Sequence, residues 1–248
     1  LAMMTERRIR DQGRDVKCVV VTPEDSPLIL FGEAASEAVA DLLAARGIEV
    51  EAGAYVRESE QGAFETLPGG RSLDADAVIA LPLITGPSVD GLPQDEHGFL
   101  PIDDHCRVRG VDAVWAAGDG TNFPIKQGGL GTQQADCAAE EIAALAGVQT
   151  DPKPFHPVLR GQLIGSEEPL NMRQDIGGGA GDGVASLDYL WWPPQKISGR
   201  YLAPWLAGDD QSDAPVPPKN LIDIEVPMPG NWYESPMSLD PYSPLPEG

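Results

Sequence analysis

The sequence predicts an α/β fold of the doubly wound, nucleotide-binding kind, with a small antiparallel meander and an irregular C-terminal extension. Three observations carry this. A β-branched run, Val16 to Val21, stands between two helical stretches. Short strand-like pieces follow, punctuated by Glu60-Gln61-Gly62 and Pro68-Gly69-Gly70. Further on, an apolar stretch ends in Gly118-Asp119-Gly120 and leads to a long alanine-rich helix.

The elements follow in order. Leu1 to Gly13 reads as a helix closed by Gly13, and the chain opens inside it without an initiator Met, so an upstream portion is expected. Val16 to Val21 reads as a strand buried on both faces. Ala34 to Arg46 has apolar residues at Ala35, Val39, Leu42 and Leu43, Ser36 near its start and Gly47 past its end, a second helix. Ile48 to Val56, Ala63 to Leu67 and Arg71 to Leu73 form the meander, and Ala77 to Leu81 reads as another buried strand. After a loop from Gly86 to Pro101, Ala113 to Ala117 is a short strand. Leu130 to Ala146 is a helix with Leu130, Ala138, Ile142 and Leu145 on one stripe. From Asp151 the pattern turns irregular, and the aromatic patches Leu190-Trp191-Trp192 and Tyr201 to Trp205 are expected to pack on the core. The last stretch, Leu206 to Gly248, is acidic and proline-rich and reads as an extended tail pinned at Trp232 and Tyr233.

Composition removes several function classes. With 17 basic against 39 acidic residues, the net charge of −22 repels nucleic-acid phosphates and anionic lipid surfaces. The longest apolar run, Ala77 to Thr85, is interrupted by Pro82 and far short of the roughly 20 residues a spanning helix needs, so no transmembrane segment is expected. Three separated cysteines, Cys18, Cys106 and Cys137, give neither a disulfide framework nor a thiolate metal site, and a reducing cytoplasm fits best.

The chemistry concentrates at Gly118-Asp119 and at Lys126-Gln127-Gly128-Gly129 before the long helix. An acid at the carboxyl end of a parallel strand sits where ligands enter such sheets, and its carboxylate accepts hydrogen bonds from a polyol such as a ribityl chain. Glycines let the backbone approach a flat ring, and a helix start offers unpaired N–H groups and the positive end of its dipole. A bland turn after a strand is the alternative for Ala-Gly-Asp alone. Glu24, after the first strand, stands where an acid could accept from a nucleotide ribose and repel a 2′-phosphate, or be a solvated loop residue. Lys126 could face flavin O2 or a quinone oxygen, or be a surface lysine; Gln127, Gln133 and Gln134 could line the acceptor side or face solvent.

The stretch Asp112 to Ala139, with Gly118-Asp119 and Lys126-Gln127-Gly128-Gly129-Leu130, resembles the second flavin motif of two-dinucleotide-binding-domain flavoproteins of the pyridine nucleotide-disulfide type, near NADH:quinone and sulfide:quinone oxidoreductases. Val21-Thr22-Pro23-Glu24, Gly91-Leu92-Pro93 with Gly98-Phe99-Leu100-Pro101, and Trp191-Trp192-Pro193-Pro194 with Lys196-Ile197 extend the likeness over residues 1–205. The resemblance implies a partial FAD- and NAD(P)-binding, Rossmann-like fold: part of an NAD(P)-binding domain over 1–100, the end of an FAD-binding domain over 101–150, a capping segment over 151–205 and the tail over 206–248. It implies FAD, with Asp119 at the ribityl hydroxyls and the backbone of Lys126 to Gly129 at the isoalloxazine, NAD(P)H as electron donor, and a small-molecule quinone-like or a protein acceptor. Oligomeric state stays open, a homo-oligomer being compatible.

Departures define the alternatives. No G-x-G-x-x-G occurs, and Gly177 to Gly183 reads as a loop, so both glycine turns of the family are expected upstream of Leu1, and this chain alone is expected to bind FAD poorly. Lys126 replaces the Ala of the Ala-Gln pair in NADH:quinone relatives, which leaves the acceptor open. Sulfide oxidation needs a thiol near the flavin, yet Cys137 falls two turns into the helix and Cys106 stands beside His105, neither matching the cysteine of that family. His105-Cys106 has no further ligand near it in sequence to make a metal site. The third reading is a non-catalytic, partner-binding scaffold with an acidic tail.

Overall fold

A computed structural model of the chain describes residues 1–58, 63–81, 83–165, 168–176, 183–191 and 199–207. The turn at Glu60-Gln61-Gly62, most of the Gly177 to Gly183 cluster, Trp192 to Ile197 and the tail beyond Ala207, with Trp232 and Tyr233, lie outside the described residues.

Helix α1, Ala2–Asp11, buries Met3 and Glu6, and Gly13 takes a positive φ past its end. Strand β1, Val19–Val21, pairs in parallel with β2, Glu49–Glu51, through helix α2, Glu33–Ala45. Helix α2 turns Ala35, Val39 and Leu43 inward, as its spacing predicts. Ser36 does not cap it: its hydroxyl bonds the Pro27 carbonyl at 2.8 Å and the Ser26 hydroxyl at 2.7 Å, fastening the preceding loop. The predicted strand from Val16 shortens to three half-buried residues because the described residues place only β2 beside it. The meander is present as β3, Tyr55–Glu58, β4, Phe64–Leu67, and β5, Ser72–Leu73, all antiparallel.

Two expected strands are absent. Ala77 to Leu81 forms no strand and pairs with nothing among the described residues, and Val78, Ile79 and Leu81 are exposed rather than buried. A β-branched sequence specifies a strand only where a neighbour takes its backbone bonds. Ala113 to Ala117 likewise forms no parallel strand. It folds back on 106–108, with Val108 N donating to Val114 O at 2.8 Å and Ala116 N to Cys106 O at 3.0 Å, so its bonds are spent in a hairpin.

Helix α3, Gly128–Leu145, starts two residues before its predicted onset. Leu130, Cys137 and Ala138 enter a core with Ile102, Val108, Phe123, Phe155 and Leu159, whereas Ile142 and Leu145, expected on the same stripe, are exposed. The irregular region past Asp151 holds an antiparallel sheet, β6, Val158–Leu163, β7, Leu170–Asp175, and β8, Val184–Ser186. Leu170 and Met172 pack with Met3, Val39 and Leu43 of the N-terminal helices, so Phe31, which touches both cores, joins the two halves. Leu190 and Trp191 are buried as expected; Trp205, in the short helix α4, Leu202–Ala207, is 75 % exposed and is not core.

Candidate functional site

The Gly118-Asp119-Gly120 turn is held from three sides. Thr121 closes it, with its amide donating to Gly118 O at 3.1 Å and its hydroxyl at 2.9 Å. A parallel bridge then ties Thr121 to Leu100, with Leu100 N on Gly120 O and Asn122 N on Leu100 O, each at 2.9 Å. From below, the Gly118 amide donates to Oε1 of Gln134, buried inside α3, at 2.7 Å. Asp119 is thereby lifted out at the surface, exposed, with no hydrogen-bond donor on its carboxylate among the described residues. Helix and turn approach so closely that a Cβ on Gly131 would lie 2.9 Å from the Gly118 Cα.

The start of α3 is built by Gln127. Its Oε1 accepts from Leu130 N at 2.9 Å as the N-cap, and its Nε2 donates to Arg160 O at 2.6 Å on β6. Its side chain thus serves the fold: a helix end needs a cap, and here the cap, half-buried, also anchors the helix to the sheet. Gln133 is similar, exchanging bonds with Val158 N at 3.0 Å and Val158 O at 2.9 Å. Gln134 is the buried support just described. With Gln127 Oε1 on Leu130 N, the amides of Gly128 and Gly129 have no acceptor among the described residues, and Gly128 is exposed.

Lys126 is half-buried beside this turn. Its ammonium donates to the Thr121 carbonyl and lies 3.8 Å from the centre of the Phe99 ring. Burial lowers it to about 8, against the Asp119 and Asp95 carboxylates that favour the charged form.

Gly118, Asp119, Gly128 and Gly131 border an open groove of about 720 Å³ that runs along α3. Its far wall is Tyr201, Leu202 and Trp205. Gly120 stands outside it, against Pro87. A Cβ at Gly118 or Gly128 would meet open space, so both main chains face the groove bare. Gly129 is buried under Gln127 and does not border the groove. A groove with an unpartnered carboxylate at one edge and the unpaired Gly128 amide beside it suits a hydroxylated chain joined to a ring that carries partial negative charge.

The other candidates lie elsewhere. Glu24 bends back on its own loop, Oε2 accepting from Leu28 N at 3.1 Å and from the Thr22 hydroxyl at 3.3 Å, which supports Leu28 at a φ of 58°. Cys106 and Cys137 are both buried in the core, and the Cys137 side chain together with burial holds the Cys106 thiol far above its ordinary range. Cys137 donates to Lys153 O at 3.3 Å. His105 Nδ1 lies 2.9 Å from Glu141 Oε1, and no group of side chains that could hold a metal occurs among the described residues. No described helix is long and apolar enough to cross a membrane.

The family described as pyridine nucleotide-disulphide oxidoreductase matches residues 8–141, more than half of the chain. No curated protein matches the sequence. Among solved structures, sulfide:quinone oxidoreductase from the hyperthermophilic bacterium Aquifex aeolicus is similar at 17 % identity and a TM-score of 0.59, over 75 % of this chain and 49 % of that one. LpdA from Mycobacterium tuberculosis gives 16 % identity and a TM-score of 0.48 over 63 % of this chain and 35 % of that one. An NAD-dependent persulfide reductase from A. fulgidus gives 17 % identity and 0.46 over 64 % and 31 %. The chain thus spans about half the length of the sulfide:quinone oxidoreductase, and at this identity the likeness is one of fold.

Proposed function

The chain belongs to the pyridine nucleotide-disulphide oxidoreductase family, and on that premise we propose that it is the flavin-gripping part of an FAD-dependent oxidoreductase. The whole enzyme takes reducing equivalents from a reduced nicotinamide nucleotide and passes them to a quinone-like or protein acceptor. The observation that carries this is Asp119, raised at the edge of the same groove that Gly128 opens at the start of α3.

Each residue has a defined part. Asp119 accepts from the ribityl hydroxyls. The free amide of Gly128, with the helix dipole behind it, stabilises negative charge on the ring. Lys126 adds a positive charge that a nearby anion keeps protonated. Bound FAD supplies hydride or electron-pair transfer; the protein supplies its placement and field. Glu24 shapes the loop where a nicotinamide nucleotide would lay its ribose, and its carboxylate favours NADH over NADPH. The sulfide-oxidising alternative draws no support from Cys106 or Cys137, since both lie buried in the core and the Cys106 thiol is in addition held protonated, a poor nucleophile.

The test is flavin content. Full-length protein, purified from riboflavin-fed cells, is expected to be yellow, and Asp119→Ala to retain about tenfold less FAD, the worth of one charged hydrogen bond. Its urea unfolding should match the parent because the side chain is exposed. An undiminished FAD content in that variant overturns the assignment.

A further inference from the structure

Helix α3 carries two buried carboxylates, Glu140 and Glu141; Glu141 faces Arg107 and His105, while Glu140 lies on the groove side. Glu140 is buried, yet its position, eight residues past Thr132 and four past Asp136, puts it on the face that floors the groove. What covers it is the segment 199–207. Arg200 Nη1 lies 2.5 Å from Glu140 Oε1, and the Tyr201 hydroxyl donates to the same oxygen at 2.7 Å. One turn earlier, the Arg200 amide donates to Asp136 Oδ2. The Glu140 bond also pushes the Tyr201 hydroxyl above its ordinary range, so it remains a donor.

The segment crosses the helix with no room to spare. Gly199 is buried against Thr132, where a Cβ would lie 2.1 Å from the threonine Cγ2. Glycine, arginine and tyrosine in succession therefore form a fitted crossing. Immediately after it, Tyr201, Leu202 and Trp205 make the far wall of the groove that begins at Asp119, and Leu202, Trp205 and Leu206 are all exposed.

We propose that Glu140 is a positioning residue: by holding Arg200 and Tyr201 it clasps the 199–207 segment to α3 and so fixes the second wall of the groove. That the groove receives flavin rests on the reading above; the clasp itself does not. A buried carboxylate stripped of its donors is an uncompensated charge, so loss of either partner loosens the crossing by more than the bond itself.

The experiment is hydrogen exchange on the full chain, followed by mass spectrometry of the peptide over 201–207. Arg200→Met and Tyr201→Phe alter only the crossing segment, while Glu140→Gln alters the helix side and carries the larger risk to folding. Each should raise exchange in that peptide about tenfold, as loss of one hydrogen bond to a charged group implies, with β6 and β7 unchanged. Unaltered exchange in Arg200→Met and Tyr201→Phe overturns the clasp. The second readout is FAD release from the loaded full-length protein, which the same variants should accelerate about tenfold; faster exchange with unaltered release overturns the positioning role. Parent protein that takes up no FAD sinks the flavin reading and leaves the clasp judged by exchange alone.

Discussion

Gln134, buried in the second turn of α3, accepts the backbone hydrogen of Gly118 at 2.7 Å, so the turn that presents Asp119 rests on a helix side chain. Its Nε2 also reaches the Thr121 hydroxyl, at 3.5 Å. One glutamine thus serves both ends of the turn, and the helix that offers its Gly128 amide to a ligand also sets the height of the carboxylate beside it.

Replacing Gln134 by Leu removes the acceptor and leaves the half-buried Gly118 amide without its partner from the helix. Urea unfolding should show a loss of about 1 kcal/mol, the net worth of one hydrogen bond to a half-buried donor. The same variant should lose FAD although Gln134 itself borders no part of the groove, because the turn beneath Asp119 is released. Unfolding curves that superimpose on the parent would show that the bond carries no weight.

Gly131 and Gly128 make a controlled pair. A methyl on Gly131 would push on the Gly118 Cα from 2.9 Å, while one on Gly128 meets open space. Gly131→Ala should therefore destabilise by about 1–3 kcal/mol through overpacking. Gly128→Ala should be neutral or gain up to about 1 kcal/mol from helix propensity. Thermal unfolding of the two side by side decides it, and equal shifts would contradict the close approach.

The parts of the site that were legible in the sequence are those where a local pattern dictates the outcome. An alanine-rich run after Gly128-Gly129 gives α3 to within two residues at its start, and the Pro68-Gly69-Gly70 punctuation gives the β4–β5 turn. The sheet β6–β8 was not legible because Val158-Leu159-Arg160-Gly161-Gln162-Leu163 and Leu170-Asn171-Met172-Arg173-Gln174-Asp175 lack β-branched alternation and owe their strands to each other. The reverse failure is Ala77 to Leu81, apolar and β-branched at Val78 and Ile79 yet paired with nothing among the described residues. Long-range support was hidden for a similar reason: a glutamine seven residues into a helix gives no local sign that it will bond an amide sixteen residues earlier. The glycine at 131, spaced three after Gly128, was the one available signal of a close approach.

Glu24 separates a loop-shaping role from a recognition role. Its carboxylate carries Leu28 N and the Thr22 hydroxyl, so Glu24→Ala should cost about 1 kcal/mol in urea unfolding, and Glu24→Gln, which keeps an acceptor oxygen, less. In the whole enzyme Glu24→Gln should also raise the kcat/KM ratio of NADPH to NADH, because a carboxylate that repels a 2′-phosphate is gone. A ratio identical to the parent's would confine Glu24 to the loop.

Lys126 makes stability depend on pH in a direction that can be fixed in advance. Burial brings its ammonium down to about 8 from an ordinary value of 10.5. Below about 8 the folded and unfolded chains both hold the proton, and the folded state bears the full cost of a half-buried charge. Between about 8 and 10.5 the unfolded chain is still protonated while the folded chain has released its proton, so the unfolded state binds more protons and this residue adds stability as pH rises. Lys126→Met keeps the stem over the Phe99 ring and removes the titration. The midpoint of urea unfolding for the parent, relative to Lys126→Met, should therefore climb between pH 7 and pH 10 in chain free of flavin. A bound anionic ring next to the ammonium would hold the proton on and move the climb to higher pH. Parallel pH profiles for parent and variant would place Lys126 in water rather than behind Thr121 and Phe99.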